Sequence, residues 1–496
     1  SMSLLDDVSI VVTPNGYKAG ELYAVVPSSG AADMDVTRAT AATRVDEAGL
    51  VKYAEIIGSE EVTNGDFATD SDWSKFDGTT ISNSAINFNV TNTGTKANQT
   101  NVMISGLLYK VTFEILNYVG GNIYMSGWSI PLADRTEQSN GVFSFYAEAS
   151  SSTFTIGTTS ASTQLSIDNV SVKEVTRDNV PRIDYTGGGC PYILAEPQRT
   201  NKLTYSEDFS QWNKSTSITV EINNAISPSG DVNASLVTTA SSNRFIYLSA
   251  SSPANSTFSI YAKWKNGSGG IDLSTDGGSN YTSVSVTNDW LRVSVTPSTS
   301  AFQCVLRVPT GGSELYLWGA QLEAGYATSY IPTSGSAVTR NQDIFTRDGI
   351  GSLINSEEGV LFLESAALSN DGTNRFLFIS DGTNDNGVRF FYSTTNNQIV
   401  SRYYVGGVAT AIISFTLSDA LNFNKIAFKW KENDFALWVN GVEVGTDSNG
   451  AVVSSDTLNN ISLTTGVGSS PFFSKVKQLQ VYKTALTDAQ LTSLTS

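Results

Sequence analysis

"NKIAFKWKENDFALWVNGVEVGTD", residues 424–447, decides the fold class. It reads as a strand, a turn at Glu432–Asp434, a second strand, and a tight Asn440–Gly441 turn before a third strand. Asn-Gly between alternating segments is a strong hairpin signal, because a two-residue turn needs positive φ at both central positions. Trp430 and Trp438 read as core residues of the resulting sheet. The same texture recurs along the chain: short runs of Val, Ile, Thr, Phe and Tyr broken by Gly, Asn, Asp and Ser. Almost no window carries the 3.6-residue apolar period of a long helix. The expectation is an all-β protein, and its 496 residues suit about three β-sandwich domains.

Composition removes whole classes of function. Thirty basic residues against 47 acidic ones give a net charge of −17. No Lys/Arg cluster offers the basic face that displaces counterions from phosphates, so nucleic acid is not an expected partner. The same deficit disfavours anionic membrane surfaces, and no apolar run approaches the ~20 residues of a membrane span. There is no histidine. Ser-His-Asp and Cys-His catalysis, His-bound zinc and imidazole proton transfer are thereby excluded together. Two cysteines, Cys190 and Cys304, are too few for a disulfide framework and are expected as free thiols.

Two segments repeat one another in layout. The first runs from "EEVTNGDFATDSDW" (60–73) to "LSIDNVSVKEV" (165–175), the second from "LTYSEDFSQWN" (203–213) to "LYLWGAQLEAG" (315–325). Each opens with an acidic residue and a Phe, Asp66–Phe67 and Asp208–Phe209, followed by Trp73 or Trp212. Each closes on an alternating strand. The opening and closing motifs of the first resemble jelly-roll carbohydrate-binding modules of glycan-degrading enzymes and viral fibres. The later segment resembles the same class, and "WGAQLEAGYATSYIPT" (318–333) resembles closing stretches of phage fibre proteins. The segment from about 345 to 496, with its hairpins and a Thr487/Gln490 capping box, resembles a laminin-G/concanavalin A-type lectin sandwich. Three leftover pieces, 35–55, 178–201 and 337–365, resemble in order the opening of a concanavalin-like domain in phage tail-fibre proteins. The expected domains are therefore a jelly roll at 58–176, a second at 202–337, and a discontinuous lectin-like sandwich from 3–57, 177–201 and 338–496. Insertion into surface loops of a sandwich is physically cheap.

The resemblance to carbohydrate-binding jelly rolls implies a structural calcium between opening loop and last strand. Asp66 and Asp168 would be its ligands, with Asn64 nearby; in the second module Trp318–Gly319 replaces Asp168–Asn169, so an equivalent site is not implied there. Carboxylates that cap their own turns are the competing reading. Glycoside hydrolysis needs two carboxylates and no histidine. The Glu-x-Asp-x-x-Glu strand motif of concanavalin-like glucanases is absent, and the pairs Glu60–Glu61, Asp70/Asp72, Glu357–Glu358 and Asp381/Asp385 read as solvated turn acids.

Sugar faces stack on exposed aromatic rings. Candidates are Tyr124, Trp128, Trp264, Tyr403 and Tyr404, each with core packing as the alternative. Tyr403 and Tyr404 are adjacent, so one of them faces away from the core in a regular strand. In "IDYTGGGCPYILAEPQRTN" (183–201) the three glycines lack the Lys and Ser/Thr of a phosphate loop and read as a turn that lets chains pass closely. The functional expectation is a non-enzymatic fibre-type surface protein, extracellular on a virion, that binds polysaccharide or cell-surface glycan. The alternatives are a structural spacer, and the accessory binding part of a polysaccharide-degrading enzyme. Homo-oligomerisation is compatible with such a protein, although no heptad seam enforces it.

Overall fold

The hairpin stretch folds into three antiparallel strands, Asn424–Lys431, Phe435–Val439 and Val442–Asp447. Phe428 faces Leu437 and Ile426 faces Val439 across the first pair. Asn440 and Gly441 both take positive φ, the geometry a type I′ turn requires. The computed structural model describes residues 7–496; the first residues assigned to the lectin-like segment, 3–6, lie outside them. Antiparallel strands dominate throughout, and the fold is all-β, built of sandwiches. The chain divides into two compact units, Ser1–Ala54 with Asp178–Ser496, and Glu55–Arg177.

In the larger unit one long antiparallel sheet runs from the edge strand Val408–Thr416 to the edge strand Val442–Asp447. It folds over on itself, so that a Cβ placed on Gly445 would sit 2.7 Å from Ile413. Leu361, Phe428 and Leu437 from one half share a core with Leu377, Phe390 and Tyr403 from the other. Chain segments far apart in sequence complete this sheet. Val8–Lys18 pairs with Ser474–Tyr482, Met34–Thr37 with Ile344–Arg347, and Tyr192–Ala195 with Ser474–Tyr482. Ile193 enters the same core. At the C-terminus the Thr487 hydroxyl and Gln490 form the capping box of the helix Asp488–Thr495.

The same unit contains a second sandwich of two five-stranded sheets, with its own core of Phe209, Trp212, Phe258, Ile260, Leu306 and Leu317. The smaller unit is a sandwich of a five- and a six-stranded sheet around Phe67, Trp73, Val111, Phe154 and Ile167. The repeated motif does the same job in both. Phe67 and Trp73 pack at 5.3 Å and 41°, Phe209 and Trp212 at 5.1 Å and 39°. Each indole N–H then closes the opening loop, Trp73 Nε1 on Asn64 O at 3.1 Å and Trp212 Nε1 on Tyr205 O at 2.9 Å.

Between the lectin-like sheet and the second sandwich lies a cluster of buried charge. Arg38 Nη1 donates to Asp343 Oδ1 at 2.8 Å. Arg182 donates to Glu196 Oε2 at 2.6 Å and also pairs with Asp343. Arg340 Nη1 reaches Glu196 Oε2 at 2.9 Å. The backbone joins in: Glu196 N–H donates to Asp343 Oδ2 at 2.9 Å, and Ser329 N–H to Glu196 Oε1 at 2.8 Å. Side-chain exposure in this cluster is 5% or less. Burial alone would raise both carboxyl pKa values. Arg340 and Arg182 around Glu196, and Arg182 and Arg38 around Asp343, outweigh it and hold both below the ordinary carboxylate range.

Because these folded-state pKa values lie below the unfolded ones, the stability they contribute is complete above the unfolded carboxylate range, begins to fall as pH drops below about 4, and is lost as pH passes through the lower folded-state values. Glu196→Gln strands Arg182 and Arg340 without their shared carboxylate. It is expected to cost about 3–5 kcal/mol, read as a lower urea midpoint at pH 7, and to flatten the acid limb of the stability curve. An unchanged midpoint would mean that the cluster is energetically idle.

Candidate functional site

A cleft of about 770 Å³ opens beside this cluster within the larger unit. Its walls come from the short hairpin Thr43–Val45/Val51–Tyr53, the loop that follows Asp184, the second sandwich's strands Ser256–Asn266 and Leu291–Val295, and the closing stretch 326–330. The hairpin is pinned to the second sandwich by Val51 N–H on Pro228 O at 2.9 Å. Four half-buried aromatic residues line the cleft: Tyr185, Tyr261, Trp290 and Tyr326.

Strand alternation places Tyr261. Phe258, Ile260, Ala262 and Trp264 all face the core of the second sandwich, which turns Tyr261 to the opposite face, where it meets Trp318 edge-on at 5.4 Å. Burial raises the Tyr261 pKa and lifts that of Tyr326 to about 12, so both hydroxyls stay protonated. Trp290 is oriented by its indole N–H on Ile226 O at 3.1 Å, with Lys263 Nζ over its ring at 5.1 Å. Arg292 is held by Thr328 O at 2.6 Å and Ser259 Oγ at 2.9 Å. Arg44 is held by Ile183 O at 3.1 Å. Two guanidinium groups and several aromatic surfaces thus converge on one space.

Two of the cleft carboxylates serve the backbone. Asp184 accepts N–H from Val45 at 3.0 Å and Thr186 at 2.8 Å, and Asp46 accepts from Ala48 at 3.0 Å and Leu50 at 2.9 Å. The three glycines form the rim. Gly187, Gly188 and Gly189 have φ of +90°, +73° and +76°, and a Cβ on any of them would meet nothing within 4 Å. Positive φ, rather than the close passage of another chain, is what requires glycine here. The glycine stretch, which lacks a phosphate loop's Lys and Ser/Thr, is therefore one wall of this cleft. Cys190 beside it is exposed and Cys304 buried, and both are free thiols.

The aromatic residues expected to meet sugar lie elsewhere, and most are core. Trp128 is 4% exposed, enclosed by Tyr109, Phe145 and Phe154. Trp264 is 4% exposed, its indole N–H on Gly269 O at 3.1 Å. Tyr403 is fully buried, with its hydroxyl donating to Ser356 O. These three present no ring face to solvent, which corrects the expectation for them. Tyr404 points to the opposite side of its strand from Tyr403 and is covered by Arg389 at 4.4 Å. Tyr124 is half-buried, its ring lying across Gly157.

The residues assigned to calcium work as turn residues. Asn64 spends its amide closing the opening loop: its oxygen accepts from Thr69 N–H at 3.2 Å, and its Nδ2 donates to Thr69 O and Ser71 O. Asp66 Oδ1 accepts from Ala68 N–H at 3.3 Å, as Asp208 Oδ1 does from Ser210 N–H at 3.0 Å in the second sandwich. Asp168 Oδ1 accepts from Asn169 N–H at 2.7 Å. No group of three or more Cys, Asp or Glu side chains that could hold a metal occurs among the described residues. This donor set, with Asn64 turned into its own loop, does not fit a calcium ion.

Residues 366–492 match the family described as the concanavalin A-like lectin/glucanases superfamily, of the laminin-G type. No curated protein matches the chain. Among solved structures, the carbohydrate-binding module of the Ruminococcus gnavus intramolecular trans-sialidase bound to α2,3-sialyllactose is 19% identical, with a TM-score of 0.25, covering 28% of this chain and 83% of its own. The NanB sialidase of Streptococcus pneumoniae is 13% identical with a TM-score of 0.26, over 30% of this chain and 26% of its own. The binding domain of botulinum neurotoxin DC is 9% identical with a TM-score of 0.26, over 31% and 40%.

Core and cleft aromatic residues separate by stability. Trp264→Ala is expected to cost about 3–5 kcal/mol, whereas Trp290→Ala, which loses one exposed hydrogen bond and partial packing, costs about 1 kcal/mol. Equal losses in urea unfolding would contradict the placement of Trp290 at a surface cleft.

Proposed function

We propose that the chain is a non-catalytic glycan-binding protein and that the cleft between its lectin-like sheet and second sandwich takes an oligosaccharide. The observation that carries this is the convergence of Tyr185, Tyr261, Trp290 and Tyr326 with Arg44 and Arg292 around about 770 Å³. Aromatic faces match the apolar C–H patches of a pyranose, while fixed guanidinium and hydroxyl groups match its oxygens. The volume suits a short saccharide segment. The match of residues 366–492 to a lectin-type family supports the same class of ligand. A binding rather than cleaving role is supported by Asp46 and Asp184, whose carboxylates are occupied with backbone N–H groups. The resemblance of 318–333 to closing stretches of phage fibre proteins supports display of this cleft on a virion surface.

Native gels cast with soluble polysaccharides, neutral and acidic, provide the test. At least one polymer is expected to retard the protein, and Tyr261→Ala or Trp290→Ala is expected to weaken that retardation about tenfold, the loss of one stacked ring. Retardation by none of the polymers would favour a structural spacer, and retardation unchanged in both variants would place the binding site elsewhere.

A further inference from the structure

The lectin-like sheet carries a second constellation, away from the cleft, in which two cations lack a counter-charge among the described residues. On strands Arg375–Ser380, Gly387–Tyr392 and Gln398–Val405, the side chains Leu377, Ile379, Val388, Phe390, Ile399 and Tyr403 face the core. The opposite face of the same three strands carries Phe376, Phe378, Arg389, Phe391, Arg402 and Tyr404. Arg389 and Arg402 stand directly opposite each other in the register. Like charges in that position are destabilising, and a chain with a net charge of −17 had abundant carboxylates to place beside them. Among the described residues neither arginine has a carboxylate partner. Burial lowers the Arg389 pKa, and the groups whose charge acts on it are Tyr404 and Arg402.

The pair is held in place. The Arg389 guanidinium lies 4.6 Å from the centre of Phe378 and 4.4 Å from that of Tyr404, and Arg402 lies 5.2 Å from that of Phe391. These contacts set each guanidinium over an aromatic ring. Both Nη1 atoms donate to the Tyr404 hydroxyl, Arg389 at 3.3 Å and Arg402 at 3.1 Å. Arg389 Nη2 donates to Asn384 O at 3.4 Å. Arg402 Nη2 has no protein acceptor among the described residues. Two stacked cations sharing one neutral oxygen, with donor capacity left over, are complementary to an oxyanion.

We propose that Arg389 and Arg402 form an anion site for the carboxylate or sulfate of an acidic saccharide, separate from the cleft. The anion follows from the unpaired charge; that a saccharide bears it rests on the glycan reading above.

Wild-type protein is titrated with polygalacturonate, dextran sulfate and neutral dextran at about 0.15 M ionic strength, alongside Arg389→Gln, Arg402→Gln, the control Lys202→Gln and the cleft variant Trp290→Ala. At least one anionic polymer is expected to bind, and the first two variants each to weaken it about tenfold or more. The Lys202→Gln control should bind it as wild type does. Because the substitutions relieve a like-charge contact, their melting temperatures are expected to stay at or above that of wild type, which separates lost binding from lost folding. Binding of polygalacturonate alone identifies a carboxylate site, and of dextran sulfate alone a sulfate site. No binding of either anionic polymer, or equal binding by Arg389→Gln, Arg402→Gln and the control, overturns the proposal. Loss of neutral-polymer binding in Trp290→Ala bears on the cleft alone.

Discussion

Five buried charged side chains, Arg38, Arg182, Glu196, Arg340 and Asp343, meet where three sequence-distant stretches of the larger unit converge. An isolated ion in such a place costs several kcal/mol, and removing any one partner strands the others. Three stretches of chain supply the members: 38 from the first, 182 and 196 from the second, 340 and 343 from the third. Each stretch depends on another: Arg38 and Arg182 need Asp343, and Arg340 needs Glu196. Glu323, buried and bonded to Thr328 and Gln321, adds a further negative charge near Arg340. The ion cluster therefore imposes a specific register on segments that hydrophobic burial alone would hold loosely. Thr43 and Ser329, both bonded to Arg182, line the cleft together with Glu196 itself, so the geometry of the candidate site is inherited from the cluster.

Strand patterning was the most legible part of the sequence. The Asn440–Gly441 hairpin, the Thr487/Gln490 cap and the all-β class all follow from local rules, and the structure has them. The duplicated acidic-Phe…Trp motif was legible as a repeat, and its physical content is the ring pair and the indole N–H that close each opening loop. The buried arginines were not legible, because a charged residue between turn signals resembles a solvated one until its distant partners are known.

The site aromatic residues show where sequence reading fails and where it had more to offer. Trp264 ends a run whose even positions, Phe258, Ile260 and Ala262, are apolar; extended one step, that alternation marks Trp264 as core and Tyr261 as outward. Trp128 stands at a glycine-bounded loop edge in the sequence, yet three aromatic rings from distant strands close around it. Tertiary enclosure of that kind has no local signal. Tyr404 has the outward direction that alternation allows, and its ring is covered by an arginine rather than left bare. Trp290 and Arg292 carry no motif at all. They become a site because the hairpin at 43–53 and the loop after Asp184 are brought opposite them.

Hydrogen exchange with and without a bound neutral polysaccharide tests the central claim most directly, since it reports each wall of the cleft separately. Added protection is expected only at residues 43–51, 184–189, 290–292 and 326–330, all within the larger unit. Protection confined to Glu55–Arg177, or a ligand-bound protein whose four cleft segments exchange as fast as in the free protein, would contradict it.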